Sequence, residues 1–371
     1  AANTLGAIVG SFAGGFVLLP ILGLDHAILA CLFVEATLAF FLVHKLTTLA
    51  ARRTAYALAG VLAAGAFLLP AWNTRVLVSG VFRVSLAKRF VQDGRLPDAE
   101  VLYHQDGLSS TVTVERFGDA LALKNNAKVD ASVRVDRAEG APGRDASSGD
   151  MPTQILVGLL PVLLHEKGEQ NVVVIGYGSG VTVGAITQST AVRRVDVVEI
   201  EARVYEAADR FFGPYNHRPE TDPRVHRFVG DGRNFLVARN QKYDVIVSEP
   251  SNPWIAGVAN LFSQDFYRFA KTHLADDGIF CQWAQMYELG PRNVKAIYRT
   301  FSESFPYTYA FSAADLSADT ILVGANRPIA LDLPALQARL ATPTVRAEIA
   351  RAFGDRAEGA PARRPAPPRR D

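Results

Sequence analysis

Three apolar runs fill most of the first 71 residues: Leu5 to Leu24, Ala27 to Val43 and Ala55 to Ala71, none with a Lys, Arg or Asp. Each is close to the ~17–25 residues that cross a bilayer core. Three such runs in succession predict membrane helices rather than the core of a water-soluble fold. Gly6, Gly10, Gly14 and Gly15 place small residues along the first run, which lets helix backbones approach closely in lipid. Glu35 is the acid within the second run and reads as a bundle-facing side chain, protonated or hydrogen-bonded. The chain opens at Ala1 with neither a basic leader nor a small-residue cleavage site. That start reads as the cut end of a longer membrane protein.

Basic residues follow both the second run (Lys45, Arg52, Arg53) and the third (Arg75, Arg83, Lys88, Arg89), so the positive-inside bias is near a tie. Placing the soluble part in the cytoplasm rests instead on where its expected ligand is made. Over all 371 residues, 39 basic and 37 acidic side chains leave a net charge of +2, with no field that points to nucleic acid. Cys31 and Cys281 are too few for a disulfide framework or a cysteine zinc site, and no metal is expected.

The expected organisation is transmembrane helices over 1–73, a membrane-proximal linker over 74–100 and a small β unit over 101–136. A flexible linker over 137–149, a Rossmann-like domain over 150–328, and a helical segment with a Pro/Arg-rich tail over 329–371 complete it. In the β unit, STVTVERF (Ser110–Phe117) alternates like a half-buried strand and Gly118–Asp119 reads as a hairpin turn. Beyond residue 150, short apolar strands alternate with helical stretches, the pattern of a parallel sheet covered on both faces. A closing pair, Tyr307–Ser312 and Asp319–Gly324, predicts a seven-stranded, methyltransferase-type sheet with an antiparallel edge.

The chemistry concentrates at predicted strand ends. VVVIGYGSG (Val172–Gly180) is a strand entering a glycine-rich turn and then a helix, which allows backbone to approach a ligand beneath a helix N-terminus. The third glycine falls one residue early for the usual dinucleotide turn, favouring an adenosyl-sulfonium compound over NAD. VVEIE puts Glu199 at the next strand end, where a carboxylate accepts from both ribose hydroxyls. Asp231 and Gly232 follow at a third, with Asp231 suited to the adenine amino group. YDVIVSEPSNP (Tyr243–Pro253) brings Glu249 out at a fourth, placed to accept a proton from an attacking amine.

From about Val101 to Gly324 the chain resembles the spermidine synthases, the polyamine aminopropyltransferases. The β unit, the glycine turn, VEIE, DGR, YDVIVSEPSNP, LFSQDFY and DGIFCQW occur in that family's order. With its apolar front end the chain looks like the bacterial membrane-fused branch. The resemblance implies transfer of an aminopropyl group from decarboxylated S-adenosylmethionine to putrescine or a related amine, leaving methylthioadenosine. It implies no tightly bound cofactor, a co-substrate that is decarboxylated S-adenosylmethionine or S-adenosylmethionine itself, and a homodimer.

By motif position, the resemblance assigns Gly176, Gly178, Ser179, Gly180, Glu199, Asp231, Gly232 and Gln105 to the co-substrate. Glu249 takes the place of the catalytic Asp, while Thr153, Gln154 and Asn252 fall at amine-binding positions. Three departures stand out. Ser179 and Asn252 replace carboxylates of the family pattern, and Thr153 replaces a Tyr. The adenosine half of the site therefore reads as intact and the amine half as altered. Two other readings stay open: an S-adenosylmethionine-dependent methyltransferase, and a non-catalytic membrane protein that binds polyamine or nucleoside.

Overall fold

The computed structural model describes residues 1–43, 45, 48–68, 72–80, 87–88, 91–92, 96, 98–135, 150–239, 241–255, 257–313 and 319–353. The expected linker at 137–149, the tail from Arg356 and most of the stretch beyond residue 80 that was expected along the membrane surface lie outside the described residues. The chain divides into two compact units, Ala1–Glu115 with Lys124–Lys128, and Arg116–Leu123 with Val129–Asp371.

In the first unit, α1 (Ala2–Ala13) passes through a π-helical turn (Gly14–Leu18) into α2 (Leu19–Val43). Gly23 breaks α2 with φ 76° and ψ 172°, a conformation open to glycine alone. The two apolar runs thus meet at a sharp bend, and the Leu24 N–H just after it donates to Asp106 Oδ2 at 2.8 Å. Ala2–Val43 is the one stretch among the described residues long and apolar enough to cross a membrane. The third run forms α3 (Leu49–Leu68), followed by α4 (Thr74–Leu77). Side chains along α1 and α2 stand in the open, Ile21 at 74 % and Phe33 at 73 % exposure, an apolar surface that calls for a cover.

Four strands, β1 (Glu100–Asp106), β2 (Thr111–Phe117), β3 (Ala120–Asn125) and β4 (Lys128–Arg134), form a sheet in that order. The Gly118 turn has φ 61° as its sequence predicts, and Asn126–Ala127 turn with φ 47° and 63°, the positive pair a two-residue hairpin needs. The Lys124 ammonium is buried against the Glu115 carboxylate and donates to Val78 O at 2.9 Å, so neither charge is left unpaired away from water.

After β4, the second unit continues with α5 (Met151–Leu164), then alternates β5 (Gln170–Ile175), α6 (Val181–Thr187), β6 (Val192–Glu199), α7 (Ala202–Phe211), β7 (Val225–Val229), α8 (Gly232–Ala238) and β8 (Tyr243–Ser248). It continues through α9 (Gln264–Thr272), β9 (Leu274–Gln285), α10 (Pro291–Ser304), β10 (Tyr307–Phe311), β11 (Asp319–Ala325), α11 (Leu333–Leu340) and α12 (Pro343–Phe353). The strands run in the order β10-β11-β9-β8-β5-β6-β7. β5 to β9 are parallel, β11 is antiparallel to β9, and β10 is antiparallel to β11. This is the expected Rossmann-like sheet with its antiparallel edge.

The unbroken valines of β5 and the fully buried β8 match strands covered on both faces. On one face, Phe266, Tyr267, Phe280, Phe301 and Phe305 interlock with ring centroids 4.9–6.2 Å apart. The chain winds outward from β5 to β7 and then returns to place β8 on the other side of β5. The winding direction reverses at the carboxyl ends of β5 and β8, and open α/β sheets bind their ligands in the crevice at such a point.

Candidate active site

The glycine turn leaves β5 at this reversal. Gly176, Gly178 and Gly180 have φ of 95°, 52° and 79°. At Gly176 a second constraint applies, because a Cβ there would lie 2.4 Å from Glu249 O. The turn is therefore pressed against the loop that follows β8, and Glu249 N–H donates to Ile175 O at 2.8 Å. Two strand ends that the sequence placed 73 residues apart share one edge of the crevice.

Glu199, at the end of β6, is buried and accepts from two backbone amides, Tyr177 N at 2.9 Å and Glu201 N at 3.0 Å. Burial pushes its carboxyl up to about 7, against the pull of those amides toward the charged form. Across the β6–β7 ladder Glu199 faces Val229, and the side chains of Ile200 and Val229 are more than half exposed. Two bare aliphatic side chains beside a carboxylate offer a base an apolar face and a ribose an acceptor. Asp231 caps α8 by accepting from Asn234 N at 2.8 Å, and Gly232 lies against Ile175.

Glu249 is the most perturbed carboxyl of the site. Burial pushes it up to about 8; the Thr182 hydroxyl favours the charged form, while Asp130, Asp150 and Glu199 disfavour it. Its Oε2 is buried without a hydrogen-bond partner. A carboxyl held near neutrality in a crevice has the properties of a general base.

Of the amine-side candidates, Gln154 is tied to Ser179 in one network, while Asn252 is held separately. Ser179, wholly buried, donates its hydroxyl to Gln154 Oε1. Gln154 Nε2 donates to Ser132 O at 3.1 Å, and Gln154 O accepts from Thr182 Oγ1 at 3.0 Å. Thr153 is buried beside it on α5. Asn252 is fully buried, with Oδ1 accepting from the Tyr287 hydroxyl at 3.3 Å and Nδ2 without a partner. Gln105 lies exposed on β1, in the first unit.

Sequence reasoning passed over two acids, Asp130 on β4 and Asp150 ahead of α5. Asp130 accepts from Ser251 Oγ and Asp150 from Ser132 Oγ, each at 2.6 Å. The alternation of β4, with Asp130 and Ser132 on one face and the buried Ala131 and Val133 on the other, was the available signal. Among the described residues, one group has potential metal-ligand atoms close together: His165, Asp244 and Asp277. Asp244 is already engaged by Lys167 Nζ and Asn171 N, both at 2.7 Å. His165 Nδ1 accepts from Lys167 N, which leaves the proton of the neutral ring on Nε2, the nitrogen nearest Asp277.

The fold and its crevice define the class: a Rossmann-like α/β domain carrying a glycine turn and buried carboxyls at its strand ends. Residues 153–315 match the family model of the spermine/spermidine synthase domain. The polyamine aminopropyltransferase of Clostridium perfringens is 32 % identical over 146 residues, covering 39 % of this chain and 51 % of its own. That of Bacillus mycoides is 28 % identical over 158 residues, 43 % of this chain and 56 % of its own. The chain thus spans about half the length of these relatives. In fold, the chain is similar to a spermidine synthase solved with the transition-state analogue AdoDATO. The TM-score is 0.53 at 18 % identity, over 67 % of this chain and 88 % of that one. The Thermotoga maritima spermidine synthase gives 0.51 at 19 % identity, over 67 % and 87 %.

Proposed function

We propose that this protein is a membrane-anchored aminopropyltransferase. It moves the aminopropyl group of decarboxylated S-adenosylmethionine to putrescine or a related amine and releases methylthioadenosine. The observation that carries this reading is the placement of Glu249, whose backbone packs directly against the glycine turn and whose carboxyl is raised by burial to about 8. An attacking amine forms its new N–C bond at the methylene beside sulfur. The C–S bond breaks, its electron pair neutralises the sulfonium, and the surplus N–H proton passes to Glu249. Glu199 and Asp231 serve the ribose and adenine, with Ile200 and Val229 as the apolar bed.

The exposed apolar helices α1 and α2 support a lipid anchor, with the second unit on the cytoplasmic side where the donor is made. The deciding assay incubates the detergent-solubilised chain with putrescine and each sulfonium donor and identifies the nucleoside product. Methylthioadenosine from the decarboxylated donor, lost in Glu249→Gln, supports the reading. S-adenosylhomocysteine replaces it with methyl transfer, and binding without turnover replaces it with a sensor.

A further inference from the structure

The motif positions at Ser179 and Asn252 carry no charge, yet the crevice is not short of carboxylates. Strand β4 and the start of α5 deliver two from outside the motifs. Asp130 is fastened to Ser251, two residues past Glu249, and Asp150 to Ser132, two residues along β4 from Asp130. In a strand, residues two apart share a face, so both anchor points lie on the same side of β4. Ser132 O, Gln154, Ser179 and Thr182 then form a continuous chain of hydrogen bonds. Asp150 is thus tied to this network through Ser132, Asp130 is tied through Ser251 to the loop that carries Glu249, and the negative charge of each disfavours ionisation of Glu249.

Two buried oxygens at this place have no hydrogen-bond partner. One is Glu249 Oε2. The other is Oε1 of Gln285, a fully buried residue whose Nε2 reaches Pro250 O, next to Glu249, at 3.5 Å. An ammonium group has three N–H donors and a positive charge. It would meet both needs in a crevice where an unpaired cation is costly.

We propose that Asp130 and Asp150 are the specificity residues for the acceptor amine, holding the charge of a diamine in place of the carboxylate missing at position 252. This rests on the aminopropyl-transfer reading.

The test uses the solubilised full chain with steady-state kinetics, and titration calorimetry of putrescine and methylthioadenosine. Asp130→Asn and Asp150→Asn should each raise the putrescine KM about ten-fold, the equivalent of one lost charge contact. kcat and the methylthioadenosine affinity should stay near wild type, which also reports an intact fold. Adding Asn252→Asp to Asp130→Asn should recover the KM, a rescue that a merely structural Asp130 would not show. The pH midpoint set by Glu249 should move down in Asp130→Asn, since a neighbouring negative charge has gone.

Unchanged putrescine KM in the double variant, with Glu249→Gln inactive, overturns the assignment and leaves the reaction standing. If the wild type turns over no amine, the reaction falls. Calorimetry then decides the assignment: putrescine binding lost in the double variant supports it, and equal binding overturns it. Should either Asn variant fail to bind methylthioadenosine, Asp130→Glu and Asp150→Glu, which keep the charge, must retain putrescine binding or the assignment falls.

Discussion

Glu249→Gln keeps the length and shape of the side chain and removes its titration. In the folded protein the carboxyl holds its proton to about pH 8, against an ordinary value of 4.5. Between those values the unfolded chain has released the proton and the folded chain has not. The unfolded state therefore binds fewer protons, and the stability of the wild type falls as pH rises, by about 1.4 kcal/mol per pH unit for this one group. Below pH 4.5 the group contributes its full share, and above about pH 8 that share is lost. The variant has no such dependence at this position. Its stability minus that of the wild type should grow by about 1.4 kcal/mol per unit from pH 5 to 8 and then level off.

Denaturant titrations of both proteins at five pH values, followed by tryptophan emission, read the difference directly and cancel every group the two share. Kinetics supply a second readout. At pH 7 roughly one Glu249 in ten is ionised in the free protein, so kcat/KM should climb toward a plateau above pH 8. The variant should lose about 10²–10⁴-fold in rate together with that dependence. Parallel stability curves across the pH range would refute the claim that Glu249 is buried and protonated at neutrality.

Glu199→Ala removes the acceptor for Tyr177 N and Glu201 N as well as the proposed ribose partner. Methylthioadenosine should bind at least about thirty-fold more weakly by calorimetry, the scale of two lost hydrogen bonds, and an unchanged Kd rules out the ribose role. Gly176→Ala places a methyl 2.4 Å from Glu249 O at φ 95°. A cost of about 3 kcal/mol or more should appear as a lower Tm, and wild-type melting would contradict the close approach of the two loops. Phe12→Asp with Phe16→Asp costs about 3 kcal/mol per residue if these positions lie in lipid. Carbonate-resistant membrane association should then drop, and retention at wild-type level argues against a bilayer around α1.

The alternation of strands and helices beyond residue 150 was legible because each element satisfies a local rule. Val172–Gly180 carries β-branched residues, then glycines where φ must be positive. Asp231 stands as an N-cap before its helix. The predicted strands fall within a few residues of those observed, and the antiparallel edge pair is present. Glu199 and Glu249 could be named as strand-end acids for the same reason. In the first unit, apolar length predicted helices, while the bend at Gly23, which joins two runs into a single helical stretch, depends on a backbone angle that composition does not reveal.

The sequence by itself determined the Rossmann-like domain, its glycine turn and the acids at its strand ends, because periodicity, turn chemistry and motif order are local properties of the chain. Only the tertiary structure decided the state of those acids and what surrounds them. The pKa of Glu249 depends on how much water is displaced around it and on charges contributed by distant segments. Asp130 and Asp150 belong to no motif, and folding brings them to the crevice through hydrogen bonds to Ser251 and Ser132. Motif positions read alone made the amine half of the site look stripped of charge. Packing brings in acids that no motif contains, and an electrostatic field sums over neighbours in space, whatever their separation along the chain.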